Sequence, residues 1–180
     1  MALDMQSEFY KIAKNIIGTP KNFHKLFAIT PDTGRVSMMG ADGGVFVSSG
    51  MLSSIVRAKP EKAYRYGKRA ARDLFDALVE EFDEELKPMA PQKKMELAYG
   101  LARATGWGDV TETDFNSKRK EASLSVGRPL EAGFKEKGDY MLTAGYIAGM
   151  ATVSFDEDME CVFNGIAKGD PTFIVRPVSH

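Results

Sequence analysis

The chain has few of the residues from which catalytic and metal centres are built. Its 180 residues include one cysteine, two histidines and one tryptophan. A structural zinc ion takes about four cysteine, histidine or carboxylate ligands at close spacing, so Cys161, His24 and His180 do not predict a zinc site. One cysteine also excludes an internal disulfide, which favours a reducing compartment such as the cytoplasm.

Charge and hydropathy also lack the extremes that mark other functional classes. Lys and Arg number 24 against 25 Asp and Glu, and this balance lacks the basic excess typical of nucleic-acid-binding proteins. No apolar run approaches the roughly 18 residues of a membrane span, and residues 1–5 show neither the basic nor the apolar region of a signal peptide. We therefore predict one cytoplasmic globular domain over residues 1–180, with no nucleic-acid partner and no membrane span.

Catalytic and cofactor motifs are missing as well. Gly106-Trp107-Gly108 is not a dinucleotide fingerprint, because Thr111 stands at the third glycine position. Neither a Walker lysine motif nor a G-x-S-x-G elbow is present. His24 is best interpreted as an ordinary partly buried histidine, and Cys161 as an inert core cysteine whose pKa apolar neighbours raise. The sequence predicts no catalytic residue, no metal and no cofactor.

The spacing of apolar residues and turn signals predicts short strands separated by helices. A helix within residues 1–20 precedes a core of about 24–177. The predicted strands are 24–30, 35–39 and 43–47 as a meander, then 107–115, 121–126, 159–166 and 172–175. The predicted helices are 51–56, 60–86, one that ends near 104, and 139–152. This order indicates an α+β fold in which an antiparallel sheet packs against long helices.

Small residues lie on one face of two predicted helices. Gly67 and Ala71 interrupt the apolar stripe of the long helix, and Ala144/Ala148 and Gly145/Gly149 form a similar face on the later helix. Such faces let helix backbones approach closely, so we expect these two helices to cross there.

The long helix also separates its charges by sign. Its first half is basic and its second half acidic, an order that opposes the helix dipole. One interpretation is an ordinary solvated face. The other is an antiparallel homodimer in which each basic half meets the acidic half of the partner, with Arg65, Arg69, Asp76 and Glu80 at the interface.

Aromatic and soft apolar residues are the remaining candidates for a site. Four of them lie on elements that we expect to converge between the helices and the sheet: Tyr66, Phe75, Trp107 and Tyr140. They are predicted to line an apolar ligand pocket. The alternative is that they fill an ordinary core.

Several short motifs, in their order along the chain, resemble the 4-vinyl reductase domain family, whose fold is related to TRAPP vesicle-tethering subunits. They are Gly43–Leu52, the long helix through Gly67 and Ala71, Gly106–Gly108, Ala144–Gly149 and Ala167–Pro171. The resemblance implies an α+β domain, a homodimer and an internal pocket for a hydrophobic or aromatic molecule.

This chain departs from the family at the positions of its usual metal-binding cysteines. The matching positions hold Tyr140, Gly165 and Thr172-Phe173, so no metal residues carry over. The first functional hypothesis is therefore a homodimeric domain that binds or senses a small hydrophobic, aromatic or hydrocarbon-like molecule. The alternative is a non-catalytic scaffold or regulatory subunit that works through a protein interface. A reductase acting on a tetrapyrrole-like substrate is a third hypothesis, which only the family name implies.

Overall fold

The fold is described from a computed structural model, which covers residues 27–30, 35–38, 41–44, 49–134 and 140–179. These residues belong to two compact units, whose boundary falls inside a helix, between Phe75 and Asp76. The first unit holds the described residues up to 44 together with 76–88, and the second holds 49–75 and the remainder. The helix predicted within residues 1–20 and His24 lie outside the described residues. The single domain over 1–180 remains a prediction.

The first unit contains a small antiparallel sheet. Its strands are β1 (Phe27–Thr30), β2 (Arg35–Met38) and β3 (Ala41–Gly44), in the order β1-β2-β3. The predicted meander is confirmed, but β3 begins two residues earlier than expected. The reason is the register of β2 and β3. Met38 at the end of β2 pairs with Ala41, so pairing with β3 starts only three residues further along the chain.

The second unit contains a four-stranded antiparallel sheet. Its strands are β4 (Asp109–Asn116), β5 (Glu121–Gly127), β6 (Met159–Ala167) and β7 (Asp170–Pro177), in the order β4-β5-β7-β6. Alternate residues of β5 and β7 are buried, which is the pattern of a sheet with one face towards a core. Both hairpins expected from the sequence are confirmed.

The described helices are α1 (Ser49–Ala58), α2 (Pro60–Glu81), α3 (Asp83–Leu86), α4 (Pro91–Ala104) and α5 (Met141–Phe155), with a 3-10 turn at Leu130–Gly133. The prediction of one unbroken helix over 60–86 is wrong, because Phe82 separates α2 from α3.

Helix α5 forms the centre of the second unit. Nearly all of its residues are buried, and it packs against α4, β6 and β7. It also crosses the first part of α2 through small residues, as predicted: a Cβ added at Gly149 would lie 2.2 Å from the carbonyl oxygen of Lys68 and 2.8 Å from Cβ of Ala71. Helices and an antiparallel sheet together make an α+β fold, which confirms the predicted class.

Candidate functional site

The four aromatic residues predicted to line a pocket have different environments. Tyr66 is 56% exposed on α2, whereas Phe75 is completely buried in the same helix. Trp107 and Tyr140 are half-buried, and each contacts other aromatic rings. Trp107 and Tyr140 therefore combine ring contacts with remaining accessible surface.

Trp107 is held in position by the end of α4. Gly106 adopts a left-handed backbone with φ of 81°, the N–H of Gly106 donates to the carbonyl of Arg103, and the N–H of Trp107 donates to the carbonyl of Ala102 at 2.8 Å. This pair of bonds is the Schellman motif, which satisfies the last carbonyls of a helix and commonly needs glycine at its left-handed position. The carbonyl of Trp107 in turn accepts a hydrogen bond from the N–H of Leu130 at 3.2 Å.

The indole of Trp107 stacks on Tyr146 of α5. The ring centroids are 4.0 Å apart and the planes differ by 14°. Burial raises the pKa of Tyr146 to about 12, although the hydrogen bond that it shares with Thr105 opposes this shift. Tyr146 thus stays a neutral phenol at physiological pH, and it presents a polar hydroxyl at the edge of an aromatic stack.

Tyr140 belongs to a second aromatic cluster, between the start of α5 and the sheet. Its ring centroid lies 5.4 Å from that of Phe163 on β6 and 6.3 Å from that of Phe173 on β7. Phe163 and Phe173 also contact each other edge to face at 5.9 Å. These tilted and perpendicular geometries are favourable for aromatic pairs. Sequence reasoning missed both phenylalanines, because each looks like an ordinary strand residue.

A buried carboxylate caps the N-terminus of α5. Glu131 is 7% exposed, and it accepts hydrogen bonds from the N–H groups of Leu142 at 2.8 Å and Thr143 at 2.9 Å, and from the Thr143 hydroxyl. Burial raises the pKa of Glu131, and the three hydrogen bonds oppose that shift. Sequence reasoning missed this residue. The only signal was an acidic residue in an apolar stretch.

Side chains of α2 tie that helix to β6. The hydroxyl of Tyr64 accepts a hydrogen bond from the N–H of Cys161 at 3.0 Å, and burial raises the pKa of Tyr64 to about 12. The ammonium of Lys68 donates to Oδ1 of Asp158 and to the carbonyl of Met159, both at 2.6 Å. These bonds fix the part of the sheet that carries Phe163.

Cys161 is a core residue, as the sequence predicted. It is buried, and burial together with the neighbouring Glu160 carboxylate raises its thiol pKa. A thiol that rarely ionises is a poor nucleophile. No three His, Cys, Asp or Glu side chains come together as a cation site within the residues that the structure describes.

The predicted interface residues Arg65, Arg69, Asp76 and Glu80 are all exposed on α2. Arg69 makes a long ion pair of 3.5 Å with Asp73, one helical turn away. Both partners are well exposed, so this pair contributes little to stability. Their role as an interface remains a prediction.

Comparison with known proteins gives a structural likeness and no sequence match. No family model and no curated protein matches the chain, so the resemblance to the 4-vinyl reductase family remains a prediction. The chain is similar to the phenol-responsive sensory domain of the transcription activator PoxR, solved with phenol. The TM-score is 0.71 at 10% identity, over 98% of this chain and 92% of that one.

A second solved structure is similar at a lower level. It is trafficking protein particle complex subunit 3 from Naegleria fowleri, covalently bound to palmitic acid, with a TM-score of 0.49 and 10% identity over 97% of this chain and 98% of that one. The likeness to the PoxR domain shows that the two chains share an α+β fold. In the part of the chain that the structure describes, every helix is too short or too polar to span a lipid bilayer.

Proposed function

We propose that this protein binds or senses a small aromatic or hydrocarbon-like molecule, and that it works as a homodimer. The observation that carries the proposal is the likeness to a phenol-responsive sensory domain, which extends over 98% of the chain. Fold alone does not transmit a function, so the proposal also needs side chains suited to such a ligand.

Two aromatic groups supply suitable side chains. The Trp107–Tyr146 stack and the cluster of Tyr140, Phe163 and Phe173 each contain at least one half-buried ring that an apolar molecule can contact. Trp107 and Tyr140 are half-buried, so each keeps ring surface that a ligand can cover. We assign the principal contacts to these two residues and secondary ones to Phe75 and Tyr66.

Ligand binding is tested by the fluorescence and the melting temperature of the protein. Trp107 is the only tryptophan, so its emission reports on one place in the fold. We expect phenol, toluene or naphthalene to change that emission and to raise the melting temperature. A ligand at a hundredfold excess over its Kd stabilises the folded state by about 2.7 kcal/mol. Glycerol serves as the polar control.

A site away from Trp107 would raise the melting temperature and leave the emission unchanged. That outcome would keep the function and remove Trp107 from the site. If neither quantity moves across the aromatic panel and a set of fatty acids, the ligand-binding proposal is wrong.

The second candidate function is a scaffold or regulatory subunit. It is favoured by the exposure of the charged residues on α2, because Arg65 and Arg69 have the accessibility that a protein interface needs. Native mass spectrometry separates the two candidates. A dimer with extra mass that is lost on denaturation supports the ligand-binding function, whereas a dimer of bare chains favours the scaffold.

A further inference from the structure

A single carboxylate at the start of β4 joins two arginines from different elements. Oδ1 of Asp109 accepts a hydrogen bond from Nε of Arg103 at 3.0 Å. Oδ2 accepts from Nε of Arg128 at 3.0 Å and also from Nη2 of the same guanidinium. Arg103 belongs to the last turn of α4, and Arg128 directly follows β5. Asp109 therefore links the ends of two elements to the first residue of a third.

Trp107 lies in the turn that these bonds enclose. It stands between Arg103 and Asp109 in the chain, and its carbonyl accepts the N–H of Leu130, two residues after Arg128, at 3.2 Å. The turn is thus joined on one side to the end of α4 and on the other side to the segment that follows β5. A shift of either neighbour would shift the indole as well.

The backbone around this turn is closely packed and partly left-handed. A Cβ added at Gly108 would lie 2.7 Å from Cγ1 of Val126 and 3.1 Å from Cα of Pro129. Arg128 has a φ of 49°, which is unfavourable for a residue with a Cβ atom. A conformation of this kind persists only where surrounding contacts hold it, and the bonds from the Arg128 guanidinium to Asp109 are such contacts.

The exposure of the three side chains indicates a local role for their contacts. Arg128 is 88% exposed, and ion pairs with exposed partners contribute little to the free energy of unfolding. Hydrogen bonds from Arg128 lower the pKa of Asp109, so the carboxylate stays charged at neutral pH. Contacts that persist at neutral pH but add little global stability act mainly by fixing the position of the backbone that they join.

We propose that Asp109 is a positioning residue for Trp107, because its bonds to Arg103 and Arg128 fix the turn that carries the indole. The role of this indole in a ligand site rests on the proposed function, but its position can be measured without a ligand. Trp107 keeps accessible surface beside its stack on Tyr146. A binding side chain needs supporting residues that hold it in the productive geometry, and Asp109 supplies that support.

The test compares Asp109→Asn with the matched variant Glu160→Gln. Each substitution keeps the shape of the side chain and removes its charge. Glu160 also makes one exposed ion pair, of 2.7 Å with Arg176, but the strand pairing places it at the opposite end of the same sheet from Asp109. Both variants therefore weaken an exposed ion pair, and only one of these pairs encloses Trp107.

The first measurement is the quenching of Trp107 fluorescence by acrylamide in the ligand-free protein. Trp107 is the only tryptophan, so quenching reports the accessibility of one indole. We expect Asp109→Asn to raise the quenching constant, because a released turn lets the indole move off Tyr146, and we expect Glu160→Gln to leave the constant unchanged. The melting temperatures of the two variants should be similar, since both substitutions remove exposed charges.

The second measurement is the Kd of 4-fluorotoluene, followed by fluorine NMR on the full chain. Asp109→Asn should weaken binding about threefold to tenfold, which corresponds to about 0.7–1.4 kcal/mol. Glu160→Gln should bind the probe as the natural protein does.

The outcomes separate the position of Trp107 from the function as a whole. If the quenching constant of Asp109→Asn equals that of the natural protein, or if this variant melts well below Glu160→Gln, Asp109 is not a positioning residue for Trp107. If the quenching constant rises but the natural protein binds no aromatic probe, the positioning role stands and the proposed ligand-binding function is wrong.

Discussion

The backbone of Tyr64 touches the backbone of Gly145, so that a Cβ added at Gly145 would lie 2.0 Å from the Tyr64 carbonyl oxygen. Gly67 has the same relationship to α5, with an added Cβ at 2.2 Å from the carbonyl oxygen of Leu142. Because these contacts are made by main-chain atoms, neither helix can relieve an added methyl group by rotating a side chain. The α2–α5 crossing consequently requires glycine at residues 67 and 145.

The first prediction concerns Gly145→Ala. Alanine is a better helix former than glycine by about 1 kcal/mol, so the substitution would stabilise an ordinary exposed helix. At the crossing it should lower the free energy of unfolding by about 2–3 kcal/mol, as overpacking a closely packed interior does. Urea unfolding followed by circular dichroism measures the change.

The matched control is Ala70→Gly, on the exposed face of α2. It should lower the free energy of unfolding by only about 1 kcal/mol, the difference in helix propensity. A Gly145→Ala protein at least as stable as the natural one would contradict the close crossing.

The crossing was predictable from the sequence because small residues four apart have an effect that depends only on helix geometry. Gly145 and Gly149 lie on one face of any helix, whatever it packs against. The meander and the two hairpins were predictable for the same reason, since turn residues such as Lys168-Gly169 act on their immediate neighbours. Local patterns thus determined most of the element order.

The second prediction concerns the cap formed by Glu131. Glu131→Ala removes the acceptor for the N–H groups of Leu142 and Thr143, and it should lower the free energy of unfolding by about 2–3 kcal/mol. Glu121→Ala is the control, because among the residues that the structure describes the Glu121 carboxylate has just one long ion pair, of 3.9 Å with Arg119. That control should change stability by no more than about 0.5 kcal/mol. If Glu131→Ala lowers the free energy of unfolding by no more than this control does, the cap does not stabilise the fold.

The third prediction follows from the raised pKa of Glu131. In the unfolded chain a glutamate titrates near pH 4.3. A carboxyl group with a higher pKa in the folded state adds stability below the unfolded pKa, and that contribution is lost as the pH rises through the folded pKa. The stability advantage of the natural protein over Glu131→Gln should therefore shrink as the pH rises above about 4.3, the unfolded value. An advantage that grows with pH would mean that the hydrogen bonds outweigh burial.

Glu131 and the aromatic clusters could not be found by local pattern. Glu131 caps a helix that begins ten residues further on. The capping patterns that a sequence reveals pair an N-cap residue with one only three positions later. Tyr146 reads as one residue of an apolar helix, and only the folded chain brings it to Trp107. Contacts of this kind depend on how the elements meet, which residue spacing does not encode.

The fourth prediction concerns the stack of Trp107 on Tyr146. A double-mutant cycle of Trp107→Leu and Tyr146→Leu should give a coupling energy of about 0.5–1.5 kcal/mol, the contribution of an aromatic pair beyond its buried area. Tyr146→Phe keeps the ring and should keep most of the coupling with Trp107. A coupling energy near zero would mean that the two rings pack independently.

The fifth prediction tests the homodimer through the charge order of α2. If the basic half of one copy meets the acidic half of another, reversing Arg65 and Arg69 to glutamate places like charges together across the interface. The Kd of the dimer should then be at least about tenfold higher for the double variant than for the natural protein, which corresponds to a loss of about 1.4 kcal/mol. Light scattering across a dilution series measures the mass.

The control for this variant is Arg119→Glu, which reverses an equally exposed arginine in the β4–β5 hairpin. It changes the net charge in the same direction and leaves α2 intact, so it should not alter the mass. Raising the salt concentration should weaken the natural dimer as well, because exposed charges are screened within about 10 Å at 0.1 M salt. A dimer that survives both the double reversal and high salt does not use this face of α2, and a protein that is monomeric throughout has no such interface.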